Sequence, residues 1–231
     1  MPTHKEIYEG HAAEYEALIS REDHTGSILK AIQDIVAIEG LDVLDLGAGT
    51  GRLAALLAPR VRRVLAFDLS PHMLGLARNK FRSLGLQPRW LAAAADHRQL
   101  PLASGAADLI VSGWSVSYVA SWHPDSWRAE LDAWLVEARR VLHEGASIIL
   151  FESLGTGNEN PLHLPHLEDF YGWLDQVGFS MTWIRTDYRF ETLEAANQLA
   201  GFFFGEEMIA KIRRDELITL PECTGVWWKR I

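Results

Sequence analysis

Between positions 43 and 53 the chain reads Val-Leu-Asp-Leu-Gly-Ala-Gly-Thr-Gly-Arg-Leu, a strand-like run that turns through Gly47, Gly49 and Gly51 into a helical pattern. Glycine lacks the Cβ that would hold a ligand away from the backbone and adopts positive φ without steric penalty. In open α/β sheets, a turn of this kind at the carboxyl end of a strand is where ligands bind. Glycine spacing separates two ligand classes. Dinucleotide binding uses G-x-G-x-x-G, and with Gly47 and Gly49 as its first glycines the third would fall on Arg52. An NAD-dependent Rossmann oxidoreductase is therefore the weaker reading. Asp68 closes the next strand-like run, in Phe67-Asp68-Leu69-Ser70, and an acid at that point can accept hydrogen bonds from both hydroxyls of a ribose. Asp68 and Asp96 could each serve as helix caps instead, but their joint spacing favours a ligand. Asp45, pointing into the turn, could equally organise loop amides.

These residues need a sheet to bring them together. Mostly apolar runs at 43–46, 64–67, 89–94, 109–112 and 147–151 alternate with helical patterns at 52–58, 71–84 and 126–142, the signature of a parallel sheet with helices on both faces. Pro71 suits a first helical turn. Further on, 167–176 predicts a helix ended by Gly178, 179–190 a long strand, 193–212 a helix and 225–230 a last strand. Two helical patterns, 6–19 and 27–38, precede the first strand. The expected architecture is α/β: a doubly wound, mostly parallel seven-stranded sheet with N-terminal helices and a helix inserted between the last two strands. We expect one domain over 1–231, with a helical lid (1–39), a cofactor-binding core (40–152) and a substrate-side region (153–231).

Composition narrows the partners. Lys and Arg number 22 against 31 Asp and Glu, for a net charge of -9, with 48% hydrophobic residues and one cysteine. One cysteine excludes an internal disulfide and a cysteine-rich zinc site. The acidic balance disfavours nucleic acid, whose non-specific binding rests on cationic surface. No apolar run approaches the ~20 residues that span a bilayer, and the first residues lack the pattern of a secretory signal. A cytoplasmic protein without a membrane partner is expected. His163 and His166 lack a third ligand, so no metal is expected.

The glycine turn with Asp45 resembles motif I of the class I S-adenosylmethionine-dependent methyltransferases. Residues 94–101, Ala-Ala-Asp-His-Arg-Gln-Leu-Pro, resemble that family's adenine-contacting motif. Residues 107–112 lead into Gly113-Trp114 where the family opens its active-site loop, and 140–145 precede the fifth strand as they do there. The pattern Tyr8-x-x-x-Ala12-x-x-Tyr15 is similar to the helix that small-molecule members fold over the cofactor. The resemblance, specific over about 40–152, implies S-adenosylmethionine as cofactor and an antiparallel final strand. It implies cofactor contacts from Tyr15, Asp45, Gly47, Ala48, Gly49, Gly51, Asp68, Leu69, Met73, Asp96, His97 and Ser112, with Asp96 receiving the adenine amine. Tyr8, Tyr15 and Arg21 are candidate donors to the methionine carboxylate.

The Asn/Asp-Pro-Pro-Tyr motif of many amino-methylating members is absent, Ser112-Gly113-Trp114-Ser115 standing there, which points to a small-molecule acceptor. Methyl transfer mainly requires a nucleophile aligned with the S–CH3 bond and exclusion of water. Should a proton have to leave, His163, His166, Glu152, Asp187 and Glu222 are candidate acceptors, none singled out by pattern. The acceptor pocket is expected between Trp114 and Tyr118 and the segment 202–204, with Phe203 on its wall. Those phenylalanines could instead pack in the core or between two copies, so a monomer and a homodimer both stay open. A protein that binds the cofactor without turnover is the alternative outside enzymes.

Overall fold

All five residues from Asp42 to Leu46 are buried, as in a strand covered on both faces. A computed structural model describes residues 4–86 and 89–231 and makes this run, β1 (Asp42–Leu46), a central strand. Before it come α1 (His4–Gly10), α2 (Ala12–Ile19) and α3 (Ser27–Ile35). After it follow α4 (Arg52–Leu57), β2 (Arg63–Asp68), α5 (Pro71–Ser83), β3 (Trp90–Ala94), β4 (Ala107–Gly113), α6 (Val116–Ser121), α7 (Trp127–Val141), β5 (Leu142–Thr156) and α8 (Glu168–Gln176). The remainder is β6 (Ser180–Arg185), β7 (Tyr188–Arg189), α9 (Leu193–Phe204), α10 (Glu206–Asp215), β8 (Thr219–Leu220) and β9 (Glu222–Arg230).

Seven strands form one sheet in the order β3-β2-β1-β4-β5-β9-β6. It is parallel from β3 to β5, and β9 runs antiparallel to both its neighbours. The doubly wound sheet and its antiparallel last strand are as expected. Alternation along β1 feeds two cores. Leu44 and Leu46 pack with Trp134 and Leu135 of α7 and Phe170 and Trp173 of α8, while Val43 packs with Ile32 of α3, Leu57 of α4 and Phe81 of α5. The strand order reverses between β1 and β4, and the crevice at their carboxyl ends is the ligand position of such sheets.

Four stretches differ from expectation. The run 179–190 is not one strand. Thr186 leaves the sheet, bonding through its hydroxyl to Glu22 (3.0 Å) and Thr224 (2.6 Å), and β7 pairs with β8 in a separate two-stranded ladder. The run 193–212 is two helices, broken where Gly205 takes φ +85° and ψ -170°. Gly201 lets them pack closely, since a Cβ there would lie 2.4 Å from Ile209 Cδ1. The N-terminal run 6–19 breaks at Gly10–His11, and α6, carrying Tyr118, fills the stretch after β4 that lacked a predicted element. The insertion β7–α9–α10–β8 builds a third core, in which Tyr188, Phe190 and Ala200 bury Leu18 of α2. N-terminal helices and insertion are thereby one packed unit.

Among the described residues no helix is long and apolar enough to cross a membrane. None of their His, Cys, Asp and Glu side chains gather in a group of three that could hold a metal ion.

Candidate active site

The turn after β1 is built by backbone hydrogen bonds to β2. Gly47 N and Ala48 N both donate to Phe67 O (2.8 and 3.0 Å), and Gly49 N donates to Asp68 Oδ2 (2.8 Å). Gly47, Gly49 and Gly51 all have positive φ, +71°, +53° and +81°. A Cβ at Gly47 would strike Ser115 Oγ at 1.8 Å, whereas one at Gly49 would meet nothing closer than Tyr15 at 3.9 Å. Gly47 thus permits the β1 and β4 loops to touch, and Gly49 leaves room above the backbone for a ligand. Asp45 lies behind the turn, accepting from Ala54 N in the first turn of α4 (2.9 Å). Burial, with Asp68 nearby, pushes its carboxyl up to about 7.

Asp68 ends β2. Its Oδ1 accepts from Ser70 N (2.7 Å), so the carboxylate braces the loops on either side while each oxygen keeps a further acceptor direction. Ser70 caps α5, accepting from Met73 N at 3.2 Å, and its hydroxyl donates to Tyr8 O (2.8 Å). Ala12 N on His72 Nε2 (3.4 Å) and the Lys80–Glu16 ion pair (2.7 Å) complete the seam between the N-terminal helices and α5.

Beyond β3, Asp96 is gripped by Arg98 through Nε (2.9 Å) and Nη2 (2.6 Å). That grip holds its carboxyl below the usual range, leaving an ionised acceptor. His97 is buried, which pushes its imidazole down to about 4 and keeps it neutral. Its Nδ1 has no hydrogen-bond partner among the described residues.

Two cavities open at the carboxyl ends of the strands. The first, about 510 Å³, runs from Asp96 and His97 past Asp68 and the glycine turn to Trp114. The second, about 800 Å³, lies between Trp114, β5, β9 and the inserted helix α9. Tyr8, Tyr15, Trp114, Tyr118 and Trp122 line both and form the partition. Tyr8 donates to the Tyr118 hydroxyl across it (3.1 Å). Trp114 is held in the left-handed region at φ +49°, a strained conformation for a bulky side chain and one that concentrates at functional sites. The Arg52 guanidinium lies 4.7 Å from its ring centroid on one side, and Phe151 stacks nearby at 6.3 Å.

Residues 43–145 match the model of a family described as a methyltransferase domain. The matched stretch runs from β1 into the start of β5 and so takes in the glycine turn, Asp68 and Asp96. It is 33% identical over 151 residues to a malonyl-[acyl-carrier protein] O-methyltransferase of Geobacter sulfurreducens, covering 63% of this chain and 51% of that one. The chain thus spans about half the length of that relative. A phosphatidylethanolamine N-methyltransferase of Cereibacter sphaeroides is 28% identical over 174 residues, covering 73% of this chain and 79% of the other. The crystal structure of a SAM-dependent methyltransferase from Aquifex aeolicus has the same fold, with a TM-score of 0.57 at 18% identity over 97% of this chain and 95% of that one.

The first chamber fits S-adenosylmethionine, the cofactor that the sequence resemblance implies, in size and chemistry. A few hundred Å³ is the scale of a small-molecule site. Asp68 and Asp96 present acceptors, Gly49 an open cradle, and the unpartnered His97 Nδ1 a buried polar atom awaiting a ligand. Tyr15, Gly47, Gly49, Asp68, Leu69, Met73, Asp96 and His97 all line it. Ala48 and Gly51 are not on its wall: Ala48 packs in the core, and a Cβ at Gly51 would sit 2.6 Å from Phe81. Asp45 and Ser112 do not reach it. Ser112 Oγ instead donates to Leu46 O (2.6 Å), tying β4 to β1.

Arg21 is also elsewhere, pairing with Glu191 at 3.0 Å. Phe203 lines the second chamber together with Trp114 and Tyr118. Of the candidate proton acceptors, Glu152, Glu222 and His166 line that chamber. Asp187 is spent on Arg185 (2.7 and 2.9 Å), and His163 rests edge-on against Tyr171. The pattern gave no sign of the Arg52–Glu22 ion pair (2.5 Å) on the wall of this chamber.

The second chamber makes stability depend on pH. Burial pushes Glu152 up to about 7, and burial with the adjacent Glu22 charge pushes Glu222 up to about 8, against an ordinary glutamate value of 4.5. Across that window the folded chain binds more protons than the unfolded one, so stability falls as pH rises through it. Each such proton contributes a slope of at most ~1.4 kcal/mol per pH unit. Thermal melts of the ligand-free protein are expected to shift downward from about pH 6.5 to about pH 8.5, and Glu222→Gln should flatten the dependence. A melting temperature constant across this range would show that both carboxyls ionise freely in the folded protein.

Proposed function

We propose that this chain transfers the methyl group of S-adenosylmethionine to a nucleophilic O, N or C atom of a small organic molecule by in-line displacement. The observation that carries this reading is the shared aromatic partition. A cofactor in the first chamber and an acceptor in the second meet across Tyr8, Tyr15, Trp114, Tyr118 and Trp122. The bound cofactor supplies an already activated sulfonium methyl. Asp68 accepts from the ribose hydroxyls and Asp96 from the adenine amine, both on the wall of the first chamber. The N-terminal helices, sewn to α5 and packed on the insertion, keep water from the reacting atoms and hold the acceptor in line, the main catalytic contribution the protein has to make.

Calorimetric titration with S-adenosylhomocysteine, followed by its detection as a product from S-adenosylmethionine and candidate acceptors, tests this reading. Binding without product formation from any acceptor would favour a binding protein. Trp114→Ala removes the partition residue that touches both chambers. We expect turnover to fall by roughly 100-fold, the scale of misalignment effects, while the dissociation constant for S-adenosylhomocysteine changes only a few-fold. Equal losses in both would place Trp114 in cofactor binding alone.

A further inference from the structure

Three buried carboxylates and one arginine face the second chamber. Glu22, Glu152 and Glu222 are each almost fully excluded from solvent, and Arg52 and His166 are the basic residues on the wall among those described. Arg52 Nη1 pairs with Glu22, whose other oxygen accepts from the Thr186 hydroxyl (3.0 Å), while Arg52 Nη2 is buried without a partner among the described residues, so one cation faces three carboxylates. Glu152 and Glu222 are left without a counter-charge of their own. Glu152 accepts from the amide (3.1 Å) and the hydroxyl (3.0 Å) of Ser117. Glu222 Oε1 accepts from Ser153 Oγ (2.8 Å) and the Thr156 hydroxyl lies beside the same carboxyl, while Oε2 is buried with no partner of hydrogen-bond geometry among the described residues. Folded proteins seldom leave such an atom unused, and one lining a cavity is explained by what the cavity binds. The remaining wall includes the rings of Tyr15, Tyr188 and Phe203. Ring faces and carboxylates together favour a cation.

We propose that the second chamber takes a methyl acceptor carrying a basic amine, held by N–H bonds to Glu222 and Glu152, and rejects acceptors that present a free carboxylate. The inference rests on the methyl-transfer reading above and narrows its acceptor. Glu222 gives up its proton to solvent as the ammonium form of the acceptor enters, and the carboxylate so formed takes one proton from the ammonium. Its nitrogen lone pair then forms the new C–N bond as the C–S bond breaks and the sulfur keeps the electron pair. The positive charge passes from sulfur to nitrogen, and Glu222 is left protonated, as it began, when the methylated ammonium leaves.

A matched series, phenethylamine, 2-phenylethanol and phenylacetate, isolates the head group on a constant apolar ring. Each would be titrated against the full chain with and without saturating S-adenosylhomocysteine. Phenethylamine is expected to bind at least about 10-fold more tightly than either analogue, the lower end for one charged hydrogen bond. That preference should collapse in both Glu222→Gln and Glu152→Gln, with S-adenosylhomocysteine affinity retained. Two variants guard against one failing to fold, which a melting curve reports. Preference for phenylacetate or 2-phenylethanol, or an amine preference that survives both substitutions, would overturn the proposal. Failure of S-adenosylhomocysteine to bind would sink the methyl-transfer reading instead, and the titrations without it would still decide the chamber's preference.

Discussion

Asp68→Ala is expected to weaken S-adenosylhomocysteine binding by at least about 100-fold, because two hydrogen bonds to a charged acceptor at ~1.5–3 kcal/mol each would be lost together. The structure gives the carboxylate two further duties. It fixes Gly49 N at 2.8 Å and Ser70 N at 2.7 Å, and Ser70 in turn holds Tyr8 O. The substitution therefore removes the ribose acceptor and loosens both the glycine cradle and the seam to the N-terminal helices. Asp68→Asn separates the two contributions, since its amide oxygen still accepts from one backbone N–H. It should recover part of the affinity. A cofactor analogue lacking both ribose hydroxyls should lose little further affinity in Asp68→Ala although it binds the unaltered chain poorly. Undiminished S-adenosylhomocysteine affinity in the variant would mean that the ribose is held by another group.

The residues around Asp68 were legible in the sequence because their constraints are local. A strand, a turn of glycines and an acid closing the next strand leave their pattern within a few positions of one another. Positive φ at Gly47, Gly49 and Gly51 is a requirement that residue type announces. Ser112 shows the limit of reasoning by motif: its place at the end of β4 was read correctly, but its hydroxyl serves the sheet by bonding Leu46 O. The second chamber was harder to read. Glu152 and Glu222 stood among five candidate proton acceptors with nothing to rank them. What distinguishes them is burial on adjacent strands β5 and β9, where Ser153 pairs with Thr224 and reaches Glu222. No short-range pattern encodes an antiparallel pairing between segments so far apart. The break at Gly205 was more accessible, since Gly205 followed by Glu206 and Glu207 is also the start of a new helix whose first turn favours acids.

Arg52 joins the two kinds of information. Its side chain at the third glycine position argued against a dinucleotide, and in the fold it answers a charge contributed from the far side of the molecule. Glu22 follows α2 and retains 3% side-chain exposure against 18% for Arg52. Removing the cation alone would strand the buried Glu22 carboxylate, whose charge already opposes ionisation of the neighbouring Glu222. Breaking a buried pair from one side typically costs ~3–5 kcal/mol, whereas replacing both partners is far better tolerated. Arg52→Met is accordingly expected to lower the melting temperature by roughly 6–20 °C, at ~2–4 °C per kcal/mol for a chain of this size. Combining it with Glu22→Gln should restore most of the loss, although the Glu22 bond to Thr186 sets a floor on what the double variant regains. Additive losses in the pair would show that the two side chains do not stabilise one another. The same bonds define how the lid must be tested. Deleting residues 1–24 would remove Glu22 and the Leu18 anchor of the third core, so weakened cofactor binding would follow from a damaged core as readily as from an open lid. Tyr8→Phe breaks only the hydroxyl contact to Tyr118 and leaves both anchors in place. A fall in turnover there, with melting temperature unchanged, is the result that closure of the N-terminal helices over the reacting atoms requires.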